Sequence, residues 1–287
     1  MKFTKMHGLG NDYVYVNCFE ENLEGVDLSE LSRRVSDRHF GIGGDGLILI
    51  MPSEAADFRM RVFNNDGSEA KNCGNGLRCV SKYVYDHGLT DKTTFTVETL
   101  GGIVTPVVQT GEDGKVSQIT IDMGEPRFDR VSIPMTGTPD EHVVEQSLTV
   151  DGRTFRLTAV SMGNPHAVLF EEEVRDEVVA TYGPLIESHE WFPERTNVEF
   201  IQVLNRRELK FRVWERGSGV TLACGTGACA AAVAAHVTGR TDREVTVHLL
   251  GGDLFIEWRE SDNRVYMTGP ATEVFSGVYT GPIPYNG

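Results

Sequence analysis

The stretch Phe58-Arg-Met-Arg-Val-Phe63, which leads through a turn to Cys73-Gly-Asn-Gly76, decides the fold. Its first six residues alternate between apolar and polar side chains, as those of a half-buried strand do. The two glycines mark a sharp turn, and a helical pattern follows over Leu77–His87. We therefore expect a strand, a glycine-rich turn and a helix in that order, with a cysteine where the helix begins.

The same arrangement occurs a second time in the chain. Leu209-Lys-Phe-Arg-Val-Trp214 repeats the strand, and Cys224-Gly-Thr-Gly227 repeats the turn 151 residues after the first. A helical pattern over Ala228–Val237 follows it. Nearly the same offset relates three further pairs of segments: Thr94–Gly102 with Val245–Gly252, Met6–Asn11 with Ser161–Asn164, and Thr120–Gly124 with Val265–Gly269. So long a period indicates two duplicated halves rather than a solenoid.

The predicted fold class is α+β, with two pseudo-symmetric domains that each wrap a mixed or antiparallel sheet or barrel around a central helix. The alternating segments predict strands at Phe58–Phe63, Phe95–Glu98, Ile119–Asp122, Leu209–Trp214 and Val245–Leu249. One further helix is predicted over Asp27–Ser36, with Asp27 as its N-cap. We place the domains at residues 1–130 and 131–270, with a weakly periodic linker region over Val131–Leu148.

Composition excludes several classes of function. The chain has 287 residues and a net charge of -15, which disfavours nucleic acid and anionic lipid as partners. The N-terminal segment lacks the pattern of a secretory signal, and no apolar run is long enough for a membrane span. We therefore expect a cytoplasmic protein without a membrane partner, whose five cysteines are thiols.

The two Cys-Gly-x-Gly turns suggest chemistry. A helix N-terminus favours the thiolate form of a cysteine, and the N–H groups of Gly74, Asn75 and Gly76, or of Gly225, Thr226 and Gly227, can cradle a carboxylate. Inverting an amino-acid carbon requires removing a proton from one face and returning a proton to the other. If the two halves pack about a pseudo-two-fold axis, Cys73 and Cys224 can serve the two faces as thiolate and thiol.

Simpler interpretations compete with this one. Buried cysteines are usually core residues, and we assign Cys18, Cys79 and Cys229 to that role. A four-thiolate zinc site formed by Cys73, Cys79, Cys224 and Cys229 remains open, although the spacings are long for it. The glycine run Gly41–Gly46 is expected to form a mobile loop or tight turn, because it lacks the rest of a phosphate-binding motif.

Polar residues next to the turns are candidates for substrate binding. Asparagines Asn11, Asn64, Asn164 and Asn197 stand at turns that recur in, or flank, the repeat. Arg216 suits a carboxylate and Glu215 suits an ammonium group, so the pair indicates a substrate with a second charged end. His166 follows Gly163-Asn-Pro165 and could raise the thiolate fraction of a neighbouring cysteine or orient the substrate.

As a set, these motifs resemble the diaminopimelate epimerase family. The matching segments are Met6–Asp12, Arg38-His39 with Gly41–Gly43, Phe63-Asn64 with Asp66–Glu69, Cys73–Gly76 with Arg78-Cys79, Gly163–His166, Glu194-Arg195 with Asn197-Val198, Glu215–Gly217, Ala223–Cys229 and Met267–Pro270. The resemblance implies an isomerase that interconverts LL- and meso-diaminopimelate for lysine and cell-wall precursor synthesis. It implies neither pyridoxal phosphate nor a metal.

The resemblance also implies roles for individual residues. Cys73 and Cys224 would be the acid–base pair, assisted by His166 and Glu215. Substrate contacts would come from Asn11, Asn64, Gly74, Asn75, Asn164, Asn197, Glu215, Arg216, Gly225 and Thr226. Residues 271–287 would return to the first domain, and the protein would form a homodimer. A two-thiol racemase of the proline or hydroxyproline type is the alternative within enzymes.

Two positions depart from the family pattern. Gly46 stands where many members have Gln, and Phe275 stands where some members have a Tyr at the dimer contact. A side-chain contact to substrate at position 46 and a hydroxyl contact at position 275 are therefore not expected here.

Overall fold

The computed structural model describes residues 1–71 and 73–286. The chain divides into two compact units, Met1–Ile121 with Gly269–Gly287, and Asp122–Thr268. The C-terminal segment thus packs with the first unit, while residues 122–130 pack with the second. Where the boundary between the duplicated halves lies stays a prediction.

The first unit is built on a mixed sheet. Its elements are β1 (Lys2–Gly8), β2 (Asn11–Asn17), α1 (Leu28–Ser36), β3 (Gly46–Met51), β4 (Phe58–Asn64), β5 (Glu69–Ala70), α2 (Gly74–Asp86), β6 (Val97–Thr99), β7 (Gly102–Val104), the hairpin of β8 (Val107–Thr110) and β9 (Val116–Asp122), and β19 (Thr272–Val278). The sheet order is β19-β1-β2-β3-β4-β6-β7. The β2–β3 and β4–β6 pairs are parallel, and the other neighbours along this order are antiparallel.

The second unit has the same plan. Its elements are β10 (Gln146–Val150), β11 (Arg153–Ser161), β12 (Pro165–Phe170), α3 (Asp176–Glu187), β13 (Asn197–Asn205), β14 (Glu208–Glu215), β15 (Gly219–Val220), α4 (Gly225–Val237), β16 (Glu244–Leu249), β17 (Gly252–Trp258) and β18 (Val265–Gly269). These strands follow one another in the order β10-β11-β12-β13-β14-β16-β17-β18, and β15 pairs with β14. Here β12–β13 and β14–β16 are the parallel pairs.

Strand register confirms that the two units are copies of one plan. In the first, Ile48 on β3 faces Val62 on β4 across an antiparallel pair. In the second, Glu199 on β13 faces Val213 on β14, and both positions are shifted by the same offset as the two cysteines. The fold class expected from the sequence is therefore confirmed.

Each unit buries one helix, and that helix begins at the Cys-Gly-x-Gly turn. Helix α2 packs against β1, β2, β4 and β19, and α4 packs against β11 to β14, β16 and β17. Seven consecutive residues of α4, from Ala228 to Ala234, are almost wholly inaccessible to solvent. Small side chains allow the strands to approach α4 closely, which fits its alanine-rich sequence.

Local details differ from the sequence expectations in three places. Helices α2 and α4 begin at Gly74 and Gly225, three residues earlier than predicted, because the cysteine before each acts as N-cap. The strand expected at Phe95–Glu98 is the short β6 at Val97–Thr99. The supposed linker region packs into the second unit, where Ile133, Met135 and Val143 are core residues.

Helix α1 agrees with its prediction. The side chain of Asp27 accepts a hydrogen bond from the backbone N–H of Glu30, as an N-cap does. Within residues 1–71 and 73–286, none of the helices is both long enough and apolar enough to cross a membrane.

Candidate active site

The thiol of the first unit sits at the start of α2. Cys73 has an extended backbone, and its Sγ accepts a hydrogen bond from the N–H of Gly76 at 3.3 Å. The thiol in turn lies 3.7 Å from Oδ1 of Asn11, which also accepts from Nδ2 of Asn75 at 3.2 Å. Three of the predicted site residues, Asn11, Cys73 and Asn75, are thus brought together in one cluster.

A network of charges fixes the amide of Asn11. Its Nδ2 donates to Oδ2 of Asp45 at 2.8 Å, so its oxygen is the atom turned toward the thiol. Asp45 is held by Arg38 at 3.1 Å, and Arg38 also pairs with Asp12 at 2.7 Å. Lys5 pairs with Asp12 at 2.6 Å. None of these four charged residues was predicted from the sequence to have a role in the site, although Asp12 and Arg38 stand in the family motifs.

Arg78 anchors the other side of the first turn. Its side chain is fully buried, with Nε donating to the carbonyl of Pro270 at 3.0 Å and Nη2 donating to Oδ1 of Asn75 at 2.9 Å. The guanidinium therefore orients Asn75 toward Asn11 and places a positive charge beneath the thiol turn.

The thiol of the second unit has the same geometry. Sγ of Cys224 accepts from the N–H of Gly227 at 3.3 Å and lies 3.7 Å from Oγ1 of Thr226. Asn164 donates from Nδ2 to that hydroxyl oxygen at 3.2 Å. Asn164, Cys224 and Thr226, all predicted site residues, thus form a second cluster.

His166 holds Asn164 in place. Its Nε2 lies 2.9 Å from Oδ1 of Asn164, and its Nδ1 lies 2.7 Å from Oε1 of Glu199. Both side chains of the His166–Glu199 pair are fully buried. Both ring nitrogens are committed, so His166 acts on the turn through Asn164. Glu199 was missed from the sequence, where an acid in the middle of an apolar strand was the available signal.

Asn197 and Arg216 are linked through the backbone. The amide of Asn197 donates to the carbonyl of Pro165 at 2.9 Å and accepts from the N–H of Arg216 at 2.9 Å. The guanidinium of Arg216 donates to the carbonyl of Glu194 at 3.2 Å. Asn197 therefore fixes the start of the turn that carries Arg216.

Two other predicted residues have local partners. Glu215 accepts a hydrogen bond from the hydroxyl of Thr221, and its charge acts on Cys224. Asn64 donates to Oγ of Ser68 at 3.0 Å. Gly46 is one of the two positions that depart from the family pattern. A side chain there would clash with the carbonyl oxygen of Phe63.

Burial dominates the acidity of both thiols. It raises the pKa of Cys73 above its ordinary value, against the N–H of Gly76, the hydroxyl of Tyr13 and the charge of Arg78. It raises the pKa of Cys224 further, and the carboxylates of Glu215 and Glu199 add to this effect. The lowered pKa expected from the helix N-termini is therefore wrong for the ligand-free protein, because desolvation outweighs the helix dipole.

The other three cysteines lie outside the two thiol turns. Cys79 and Cys229 are fully buried core residues, as predicted, whereas Cys18 is only half-buried. In the part of the chain that the structure describes, no three His, Cys, Asp or Glu side chains cluster as metal ligands would.

Solved structures first define the class of fold. A hydroxyproline epimerase from Agrobacterium vitis with bound trans-4-hydroxy-L-proline superposes with a TM-score of 0.68 at 15% identity, covering 96% of this chain and 91% of its own. A probable proline racemase from Agrobacterium radiobacter K84 with bound carbonate gives 0.68 at 16% identity, covering 98% and 93%. The chain thus has the two-domain, sheet-rich fold of these two proteins.

Sequence comparison defines the family. The family model for diaminopimelate epimerase matches residues 3–129 and 158–274. Proteins named diaminopimelate epimerase from Geobacillus thermodenitrificans and Moorella thermoacetica are 57% and 58% identical, over 96% of this chain and 96% and 98% of their own lengths. The chain belongs to the diaminopimelate epimerase family, and it is an isomerase.

Two asparagines of the site should differ in what they do for stability. Replacing Asn197 by Ala leaves a buried carbonyl and a backbone N–H without partners, so we expect a loss of about 2–3 kcal/mol of unfolding free energy. Asn64→Ala serves as the matched control and should cost under about 1 kcal/mol, because the Asn64 side chain donates to the hydroxyl of an exposed serine. Urea unfolding of both variants measures the difference, and equal losses would show that Asn197 has no such structural role.

Proposed function

We propose that this protein interconverts LL- and meso-diaminopimelate by two-base proton transfer, with Cys73 and Cys224 as the two bases. The observation that carries the proposal is the repeated thiol turn. In each unit a cysteine caps a buried helix. Its Sγ accepts a hydrogen bond from the N–H of the residue three positions later, at 3.3 Å in both units. Membership in the epimerase family supports the reaction, and the names of the relatives support the substrate.

The chemistry balances with two thiols and no other reactant. One thiolate takes the proton from the α carbon and becomes a thiol. The other thiol returns its own proton to the opposite face and becomes a thiolate. The inverted amino acid leaves with the two cysteines in exchanged protonation states, and a proton shift through solvent resets them.

Backbone N–H groups are the proposed carboxylate site. Those of Gly74 and Asn75, and of Gly225 and Thr226, lie in the first turns of α2 and α4, where a helix leaves such groups without intrahelical partners. A carboxylate bound there would withdraw charge from the α carbon as the proton leaves. The chain itself then supplies both the proton carriers and the anion site, so we propose a reaction without a cofactor.

Substrate binding should also activate the thiols. Both have raised pKa values in the ligand-free protein because they are buried. An α-ammonium group beside them favours the thiolate form, since a nearby positive charge lowers the pKa of a thiol. Asn11, held by Asp45, and Asn164, held by His166 and Thr226, are the proposed ligands for the reacting end of the substrate.

The distal amino-acid group of the substrate needs its own partners. We assign Arg216 to its carboxylate and Glu215 to its ammonium group, with Asn64 and Asn197 completing the set. Charge complementarity supports this assignment, since a carboxylate–guanidinium pair is bidentate and directional. The backbone bond from Arg216 to Asn197 supports a fixed position for the arginine at the start of its turn.

We place this activity in the cytoplasm, in the synthesis of lysine and of cell-wall precursors. A reducing compartment is where two catalytic thiols persist without oxidation. The proposed product, meso-diaminopimelate, would supply both routes.

Hydrogen exchange in deuterium oxide tests the substrate. With LL-diaminopimelate we expect conversion to the meso isomer with deuterium at the inverted α carbon, measured by NMR and chiral chromatography. L-proline and trans-4-hydroxy-L-proline, incubated in parallel, should show no exchange because neither has a distal charged group for Glu215 and Arg216. Exchange of proline but not of diaminopimelate would overturn the choice of substrate.

Cysteine variants test the two-base scheme in the same assay. Cys73→Ser and Cys224→Ser should each lower kcat for epimerisation by about 100- to 10,000-fold, because a hydroxyl is a far poorer base than a thiolate at neutral pH. Cys18→Ser is the matched control and should retain activity, since Cys18 directly follows β2 and its thiol donates to the carbonyl of Val16. Wild-type activity in either of the first two variants would refute the scheme.

We also propose that the protein is a homodimer joined along β19. This strand is the edge of the first sheet, and it exposes Val274, Phe275 and Val278. Phe275 packs edge-on against Phe3, with 5.8 Å between the ring centres, and its side chain remains exposed to solvent. An apolar edge strand is a ready pairing surface.

Sedimentation velocity tests the dimer. Wild-type protein should sediment as a dimer, and Phe275→Asp should shift it to monomer because a carboxylate would be buried in the interface. Phe255→Asp, an exposed phenylalanine on β17 of the second unit, is the control and should leave the dimer intact. A monomeric wild type would contradict the proposal.

A further inference from the structure

The two thiol turns have the same backbone but different neighbours. Asn11 and Asn164 occupy matching places beside them, two residues before Tyr13 and His166 respectively. In the parallel pairing of each unit, Tyr13 faces Gly46 and His166 faces Asn197, so the tyrosine and the histidine are equivalent. The duplicated frame therefore allows the surroundings of the two sulfurs to be compared position by position.

The first difference is the side chain that packs against the second glycine of each turn, Gly76 or Gly227. A methyl group placed on Gly76 would lie 3.3 Å from Sγ of Cys73 and 2.5 Å from Cδ1 of Ile48. A methyl group placed on Gly227 would lie 3.0 Å from Sγ of Cys224 and 2.8 Å from Oε1 of Glu199. A buried carboxyl group in the second unit thus occupies the place of an isoleucine in the first.

Two further positions differ in the same sense. The end of β4 carries Asn64, whereas the end of β14 carries Glu215. The fifth residue after each cysteine is the buried Arg78 in the first unit and the neutral Cys229 in the second. All three differences make the first turn more positive and the second turn more negative.

We propose that the two thiols are unequal by construction, with Cys73 ionising before Cys224, and that Arg78 and Glu199 are the positioning residues that set this order. The family reaction requires two thiols but does not by itself require that they differ. Here the difference comes from side chains that replaced one another at equivalent positions of a duplicated frame.

Electrostatics around each sulfur support the order. The groups that face Cys73 are Arg78, whose charge lowers the pKa of the thiol, and the neutral hydroxyl of Tyr13. Tyr15 and Cys79 lie behind them and are neutral at physiological pH because burial raises both of their pKa values.

The groups that face Cys224 have the opposite sign. The carboxylates of Glu215 and Glu199 both raise the pKa of Cys224. His166 shares a hydrogen bond with Glu199 and can offset one of these charges. Burial raises the pKa of Glu199 against the charge and hydrogen bond of His166, and the carboxylates of Glu199 and Glu215 act on Cys224 in the same direction.

The inference rests on the proposed two-base function for its consequence in catalysis. When substrate binding lowers the pKa of the two buried thiols, Cys73 would lose its proton first and serve as the base, and Cys224 would keep its proton. The isomer whose α hydrogen faces Cys73 would then meet the enzyme in its reactive state, and the other isomer would first need a proton shift between the cysteines.

Alkylation by iodoacetamide tests the order without substrate, because only thiolates react and the reagent is uncharged. The alkylation rate of each cysteine is measured as a function of pH by mass spectrometry of its peptide. The pH at the midpoint of each rate curve is compared, because the maximal rate also depends on how easily the reagent reaches the thiol. We expect the midpoint of Cys73 to lie at least one pH unit below that of Cys224. Equal midpoints, or the reverse order, would overturn the inference.

Variants test the two positioning residues. Glu199→Gln should raise the alkylation rate of Cys224 at fixed pH by about tenfold, the change for one unit of pKa, and leave Cys73 unchanged. Glu244→Gln, an exposed glutamate on β16, is the control and should change neither rate. No change at Cys224 in Glu199→Gln would remove Glu199 from the account.

Arg78 needs a paired design because it is buried. Arg78→Met should lower the alkylation rate of Cys73 by about tenfold, and Arg78→Lys should restore most of it, which a purely structural role would not predict. If Arg78→Met fails to fold, the wild-type midpoints and Arg78→Lys still decide the order. Equal midpoints in a wild-type protein that epimerises diaminopimelate would overturn this inference and leave the proposed function intact. Unequal midpoints in a wild-type protein without epimerase activity would overturn the proposed function and leave this inference intact.

Discussion

The hydrogen bond from a backbone N–H to the sulfur of the capping cysteine is the interaction on which the rest of the structure depends. It fixes Cys73 to Gly76 and Cys224 to Gly227, and so places each thiol at the end of a buried helix. A residue with a side chain in place of either glycine would meet the sulfur or the strand behind it. In the second unit the alanines of α4 make the helix narrow and apolar where the strands pack against it.

Burial of the thiols disfavours their thiolate forms, and the neighbouring polar residues have to offset this effect when substrate binds. Desolvation makes both thiols weaker acids than an exposed cysteine, despite their position at helix N-termini. The chain does not reverse this with a fixed positive charge at both sulfurs. It holds Asn11 by the Asp45 carboxylate and Asn164 by the His166 ring instead, so that polar groups are in place when a charged substrate arrives.

Much of this could be predicted from the sequence, because duplication leaves a visible trace. The strands, the helix starts within three residues and the two thiols follow from the repeated Cys-Gly-x-Gly pattern. The links of Arg38 to Asp12 and of Asp45 to Asn11, and the pair of His166 with Glu199, could not be predicted, since they join residues 26 to 34 positions apart in sequence. The acidity of the thiols was predicted in the wrong direction, because the extent of burial depends on packing that periodicity does not specify.

The central claim is that Cys73 and Cys224 act on opposite faces of one substrate carbon. A crystal structure of the protein with bound meso-diaminopimelate tests it most directly. The account predicts one α carbon with the two sulfurs on opposite sides, each at about 3.5 Å, and its carboxylate on the N–H groups of the two turns. A bound α carbon with only one sulfur nearby, or with a different base on the second face, would contradict it.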